Sequence, residues 1–446
     1  MTIVAWCSLV LGIIGCLFAG TALLRRPGSI DGLSMWYLGF ALPGSELSAL
    51  LATIGVVLAA GAWALGIDAL GVGRWALALH GLAIAGLVWV IWRARGAFEA
   101  IDGALRAAWG ADYAKRIAPQ RLSLLRRKLD PAHWWRPMSY RRDDVLWTRH
   151  IPFIDPAHAQ QHLDVIVSRT PAPGPRPVLL NIHGGGWVIG EKGTQAMPLL
   201  MHMASCGWLV VDADYRLSPG VRMPEHIIDV KRAIAWTRDN AARHGGDPRF
   251  IVITGGSAGG HLVSLAGLTA NQPQWQPGFE NADTRVQAVL NMYGKVDILA
   301  ERAPDAHFQD FLERKVLPGP RAAHEDLWRA MAPASYLRAG AGEVGPPFFV
   351  VHGTHDELIQ IDEARWFVQR LRQGLGNEVL YAEVPNAHHG FDVPHSLRSD
   401  LSVEAFQRWL EVQYAAWCQR EGVQPTAAPA AAALSPESLQ RAGAKA

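Results

Sequence analysis

Residues Phe250 to His261 read FIVITGGSAGGH, a short β-branched run that stops at a serine set among glycines. Phe250 to Thr254 has the composition of a buried strand, and His261 to Ala270 (HLVSLAGLTA) carries apolar residues at helical spacing, so Ser257 falls where a strand turns into a helix. Such a turn needs small neighbours, and Gly255 and Gly259 supply them in the pattern G-x-S-x-G. A hydroxyl held at this kind of elbow is lifted clear of the sheet edge, where a nucleophile belongs. The same pattern also arises by chance in glycine-rich loops, so the rest of the chain must supply the partners that a reactive serine requires.

Working outward, the strand expected at Pro177 to Ile182 runs into His183-Gly184-Gly185-Gly186-Trp187. Consecutive glycines leave backbone N–H groups bare and approachable. Gly184 and Gly185 N–H, together with Ala258 N–H beside the serine, form a candidate oxyanion hole. A phosphate-cradling loop is the rival reading, but no Lys-Ser/Thr follows and no G-x-G-x-x-G opens a helix. A serine also needs a base, and the base an orienting carboxylate. Past the strand at Phe348 to Val351, the sequence H-G-T-H-D-E-L offers Asp356, with Glu357 as the competing neighbour. Past the strand at Val379 to Val384, P-N-A-H-H-G-F offers His389, with His388 as the alternative. The order Ser257, Asp356, His389 is the chain order of an α/β-hydrolase triad.

From Pro177 to Phe391 the chain resembles the hormone-sensitive-lipase-like branch of the α/β-hydrolase superfamily. The matching motifs are H-G-G-G at His183 to Gly186, D-Y-R-L-S-P at Asp214 to Pro219, G-x-S-A-G-G at Gly255 to Gly260, Asp356 in G-x-x-D, and H-G-F at His389 to Phe391. The likeness is greatest to bacterial esterases of that branch with amino-terminal membrane helices. It implies a serine carboxylesterase, lipase or related deacylase without a cofactor, and the triad and oxyanion groups already reached. Gly256 departs from the family's usual Asp before the serine, and Gly220 from its usual Glu after D-Y-R-L-x-P. An acyltransferase on the same triad and a non-catalytic receptor on a hydrolase fold are the alternatives. Asp214, Tyr215 and Arg216 read as a brace for the H-G-G-G loop, and His261 as structural.

The amino-terminal part has a different character. Ile3 to Leu24 and Leu47 to Ile67 are uncharged runs long enough to cross a bilayer, and Trp75 to Trp92 is a shorter third. Lys and Arg follow the first run at Arg25 and Arg26. They then crowd the stretch from Arg93 to Arg142, where twelve stand against four Asp and Glu, a net of +8. Three spans with these loops inside place the amino terminus outside and the large domain in the cytoplasm of a bacterial inner membrane. Phe98, Ile101, Leu105 and Trp109 make an amphipathic stripe suited to anionic headgroups or to a linker helix.

The expected organisation is therefore a membrane segment at 1–95 and a basic amphipathic junction at 96–144. An α/β-hydrolase domain follows at 145–421, with a mostly parallel sheet covered by helices on both faces. A disordered Ala/Pro-rich tail is expected at 422–446. The junction and Asp297 to Ser335 are cap candidates. Expected partners are an ester substrate and membrane lipids. A formal net charge of +2 over 446 residues gives no argument for nucleic acid, and four scattered cysteines match neither a disulfide framework nor a metal site.

Overall fold

The computed structural model describes residues 1–26, 28–125, 129–156, 158–302, 304–338, 340 and 345–428. At its centre is an eight-stranded sheet: β1 (Val145–Pro152), β2 (His162–Ser168), β3 (Arg176–Ile182), β4 (Leu209–Ala213), β5 (Gly246–Gly256), β6 (Ala288–Met292), β7 (Phe348–Gly353) and β8 (Val379–Val384). Their order is β1-β2-β4-β3-β5-β6-β7-β8, with β2 antiparallel to both neighbours and every other pairing parallel. β3, β4 and β6 are buried at every residue, as parallel strands covered on both faces must be.

Side chains alternate between two cores. Leu180, Ile182, Ile251 and Ile253 face one, with Ile227 and Ile234 of α7 (Glu225–Asn240), Leu262 of α8 (Ala258–Leu268) and Phe367 of α11 (Ile361–Gly374). Leu179, Val210, Phe250 and Val252 face the other, with Leu200 of α6 (Met197–Ser205) and Trp409 of α12 (Leu397–Glu421). β5 lies mid-sheet, so the β5–α8 turn and the loops after β3, β7 and β8 meet at the carboxyl ends of the strands, the edge where such sheets place their sites.

The chain begins with α1 (Thr2–Leu23), α2 (Gly32–Glu46), α3 (Ser48–Ala64) and α4 (Gly71–Ala94). Among the described residues, α1 and α4 are each long and apolar enough to cross a membrane, and α2 with α3 adds a third only as a pair bent by 86°. The run expected to span from Leu47 to Ile67 is thus a 17-residue α3, about 26 Å long. Pro43 inside α2 and the non-helical Leu47 explain the bend. α1 and α4 deliver their carboxyl ends to the sheet-bearing part, and α3 starts there. At the far end Ala5, Ala62 and Ala76 pack together.

The stretch at 96–144 is built into the second core. α4 continues through Arg95 into α5 (Gly96–Trp109), whose Ala97, Ile101 and Leu105 are buried in the same cluster as Leu380 of β8 and Trp409 of α12. The amphipathic stripe therefore meets protein rather than headgroups. Arg121 and Glu411 form a fully buried ion pair across this junction, with Arg121 donating to Glu411 Oε1 at 2.8 Å. The start of the expected disordered tail is docked, since Thr426 Oγ1 donates to Pro175 O at 2.5 Å and Arg121 to Thr426 O at 3.0 Å. The remaining tail, 429–446, and the expected basic residues Arg126, Arg127 and Lys128 lie outside the described residues. Within the insertion from Asp297 to Ser335, α9 (Ala306–Phe311) and α10 (Glu325–Met331) are short helices.

Candidate active site

Ser257 has φ +56° and ψ −119°, a conformation that costs a non-glycine residue energy and persists only where its surroundings impose it. Those surroundings are the glycines at either side. A Cβ on Gly259 would overlap the carbonyl oxygen of Ile182, so α8 rests directly on the end of β3. The turn points Ser257 Oγ at His389 Nε2, 2.9 Å away, and His389 Nδ1 lies 2.9 Å from Asp356 Oδ2. The three side chains named from the sequence are thus brought together from three separate loops.

Asp356 is tightly held. Its Oδ1 accepts N–H bonds from Leu358 at 2.9 Å and Ile359 at 2.8 Å, and its Oδ2 stands 3.2 Å from His352 Nε2. Burial pushes its carboxyl upward, but the charge of His389 and the hydrogen bonds from His352 and His389 outweigh this and hold it well below the usual carboxylate range. Burial alone would lower His389; the facing Asp356 carboxylate reverses that and raises the imidazole above its ordinary value. Tyr293 packs edge-on against the His389 ring at 4.9 Å between centroids and donates its hydroxyl to Asp392, which is also buried. That tyrosine accounts for Gly256, because a Cβ there would lie 2.6 Å from the Tyr293 hydroxyl.

The three amides named for the oxyanion are not equivalent. Gly185 and Ala258 N–H make no hydrogen bond among the described residues. Gly184 N–H donates to Gln195 Oε1 at 2.7 Å, so that donor is covered by a side chain. The loop beneath is braced as expected. The Tyr215 ring stacks on His183 at 4.5 Å, its hydroxyl donates to His183 O at 3.2 Å, and Asp214 Oδ1 accepts Lys192 N–H at 2.6 Å. Arg216 instead grips Asp229 at 2.8 Å and Glu225 at 2.6 Å. His261 is structural: its Nε2 bonds Met331 O at 2.7 Å, and burial pushes its pKa down to about 4.

Glu357 and His388, the neighbours of the acid and base, pair with each other at 2.9 Å rather than with Ser257. Gln195, Tyr293, Asp392 and His352 escaped sequence reasoning. Only Tyr293 left a signal, in the missing side chain at Gly256. The insertion reaches the site through Phe311, whose ring lies 3.6 Å from where a Cβ on Gly186 would stand. Phe311 also lines a groove of about 800 Å³ with Ile30, Asp31, Arg222, His307 and Arg314, between the insertion and the start of α2. The group of His and acid side chains close enough to share a metal ion, among the described residues, is His133, His395 and Asp400. Asp400 there already bonds His395 Nδ1 at 3.1 Å and accepts from Trp134 Nε1 at 3.1 Å.

A family model described as BD-FAE matches residues 163–371. The esterase LipQ of Mycobacterium tuberculosis is 39% identical over 342 residues, covering 72% of this chain and 76% of that protein. The esterase LipC of the same organism is 42% identical over 258 residues, covering 57% of this chain and 62% of that one. The alignment with a third mycobacterial relative, LipM, takes in only 57% of that protein's length. In three dimensions, esterase B of Lactobacillus rhamnosis superposes with a TM-score of 0.53 at 21% identity, over 73% of this chain and 99% of the other, a likeness of fold alone. The chain belongs to the hormone-sensitive-lipase-like branch of the α/β-hydrolase superfamily, a family of carboxylic ester hydrolases.

Proposed function

We propose that this protein is a membrane-anchored serine ester hydrolase that works through an acyl-serine intermediate. The observation that carries this is the unbroken path from Asp356 through His389 to the strained Ser257, with both links at 2.9 Å. His389 takes the Ser257 proton as Oγ attacks the ester carbonyl, and Asp356 keeps the imidazole in the required tautomer and stabilises its charged form. The tetrahedral oxygen is met by the Gly185 and Ala258 amides. Gly184 becomes a third donor once the charged oxygen, a stronger acceptor than a neutral carboxamide, displaces Gln195. His389 then protonates the departing alcohol and afterwards activates the water that releases the acid. No step calls for a cofactor.

Anchoring is supported by where the large apolar side chains stand. Trp6, Trp63 and Trp75 are exposed at the far end of the helices, and Trp36, Trp89 and Trp92 at the end nearer the sheet. Trp75 and Trp92 are about 26 Å apart along α4, the spacing of two interfacial aromatic belts across a hydrocarbon core. Arg25, Arg26 and the described basic residues after α4 belong to the end of the helices nearer the sheet, and such an excess of Arg and Lys supports a cytoplasmic hydrolase. The anchoring favours apolar or lipid-derived esters from the inner leaflet as substrates, and the largely charged groove beside Phe311, next to the start of α2, adjoins the site through that ring.

Purified full-length protein is expected to hydrolyse short-chain p-nitrophenyl esters and esters presented in vesicles, and Ser257→Ala is expected to abolish both. Wild-type rates in Ser257→Ala sink the serine mechanism; failure on vesicle esters alone sinks only the lipid substrate.

A further inference from the structure

The two acids Asp356-Glu357 and the two histidines His388-His389 form two side-by-side pairs. His389 turns its Nε2 to Ser257 Oγ, whereas His388 turns its Nε2 to Ala22 O of α1, 3.1 Å away, while its Nδ1 bonds Glu357 Oε2 at 2.9 Å. Ala22 O is in the last turn of α1, where carbonyls have no helical partner. His388 and Glu357 are fully buried, so this contact caps a helix end inside the protein rather than at a wet surface. Tyr37 completes the cap, donating to Thr21 O at 2.7 Å and Leu24 O at 2.6 Å.

The chain beyond α1 holds the acid's turn from the other side. Ser29 N–H donates to Glu357 O at 3.0 Å. Gly28 lies so close to that turn that a Cβ on it would be 2.7 Å from Gln360 N and 2.8 Å from Ile359 C. The N–H groups of Leu358 and Ile359 in that same turn hold Asp356 Oδ1. One end of an apolar helix is thus seated against both loops that present the acid and the base.

We propose that Glu357 and His388 are a positioning pair that locks the acid and base loops onto the carboxyl end of α1, so that turnover at Ser257 depends on how that helix is seated. This rests on the serine mechanism above. The pair touches no reacting atom; it fixes the two loops whose separation sets the His389–Asp356 geometry, and displacements of about 1 Å in such geometry cost on the order of 100-fold in rate.

The test uses the full chain in detergent and p-nitrophenyl acetate, a substrate too small to need the membrane. His388→Ala removes the link to Ala22, and Gly28→Val pushes the chain beyond α1 off the Asp356 turn without touching His388. Each is expected to lower kcat roughly 10- to 100-fold with KM within about twofold of wild type. The double variant is expected to be no slower than the slower single one, since both unseat the same contact. If His388→Ala does not accumulate as folded protein, Gly28→Val and Glu357→Gln decide by the same kcat criterion. Wild-type kcat in the folded variants, or losses that multiply in the double, overturn the proposal. Ser257→Ala run alongside separates the outcomes: activity there removes the serine mechanism itself, whereas an inactive Ser257→Ala beside fully active His388→Ala and Gly28→Val removes only the coupling to α1.

Discussion

The hydrolase part and the helical part put the same residue types to opposite use. Around the sheet, Val, Ile, Leu and Phe are sealed inside, and a cluster of buried polar groups, Asp356, His352 and His389 among them, surrounds Ser257 at the strand ends. In α1, α3 and α4 the interior is lined by Ala, Gly and a few larger residues, while Ile3, Val10, Val57, Leu82 and Val88 face outward. Small residues let those helices approach closely, the packing that the proposed membrane setting favours, since lipid gives no drive to bury apolar side chains. In the first region, then, an outward apolar side chain is the exception, and in the second it is the rule.

The largest effect should come from the polar cluster. Asp356→Asn is expected to lower kcat on a soluble ester about 10⁴-fold with little change in KM, because the imidazole loses the partner that sets its tautomer. The same change should move the pH profile. His389 must be neutral to act as base, and Asp356 raises it above 6.5, so wild-type kcat/KM should fall on the acid side through an apparent pKa above that value. In Asp356→Asn the largest raising influence is gone, leaving burial against the weaker pull of Glu357 and Asp392, so the limb should shift to lower pH. A limb that stays put separates His389 from Asp356 energetically.

On the helical side, Val57 is 64% exposed in mid-α3. Val57→Arg is expected to cost about 2.5–3.5 kcal/mol of membrane insertion, read as loss of membrane-integrated protein. If α3 instead faces water, the variant should integrate and express like wild type. Gln195→Glu sharpens the polar side of the comparison. A carboxylate would hold Gly184 N–H more firmly than the carboxamide and repel the oxyanion, so kcat should drop about 100-fold, the worth of one donor. Unchanged kcat would mean that Gly184 never serves. The smallest effect is expected at Leu146 on the edge strand β1, exposed on the hydrolase surface. Leu146→Arg should change stability by under about 0.5 kcal/mol in a thermal melt, in contrast to Val57→Arg.

Local pattern carried much of this. The four strands that end at the site stood out as short apolar runs, and their observed bounds differ by a residue or two except at β5, which begins four residues early. There Gly246 pairs with Arg176 across an irregularity, in a Gly-Asp-Pro-Arg stretch with the composition of a turn. Ser257, Asp356 and His389 were legible because each follows a recognisable strand. What was not legible depends on distant partners. Amphipathicity in α5 announced one buried face but not that β8 and α12 would cover it, and nothing local ties Arg121 to Glu411. Gln195 over Gly184, and His388 on the end of α1 rather than on the serine, are likewise matters of three-dimensional placement.

The central claim is that Ser257 is the nucleophile of an ester hydrolase. Full-length protein treated with a fluorophosphonate, with residual esterase activity followed and the adduct mapped by peptide mass spectrometry, tests it most directly. The expected result is one phosphonyl group on Ser257, appearing in step with the loss of activity and absent from Ser257→Ala. Full inactivation with the adduct on another residue, or a modified Ser257 in protein that still turns over ester at the wild-type rate, contradicts it.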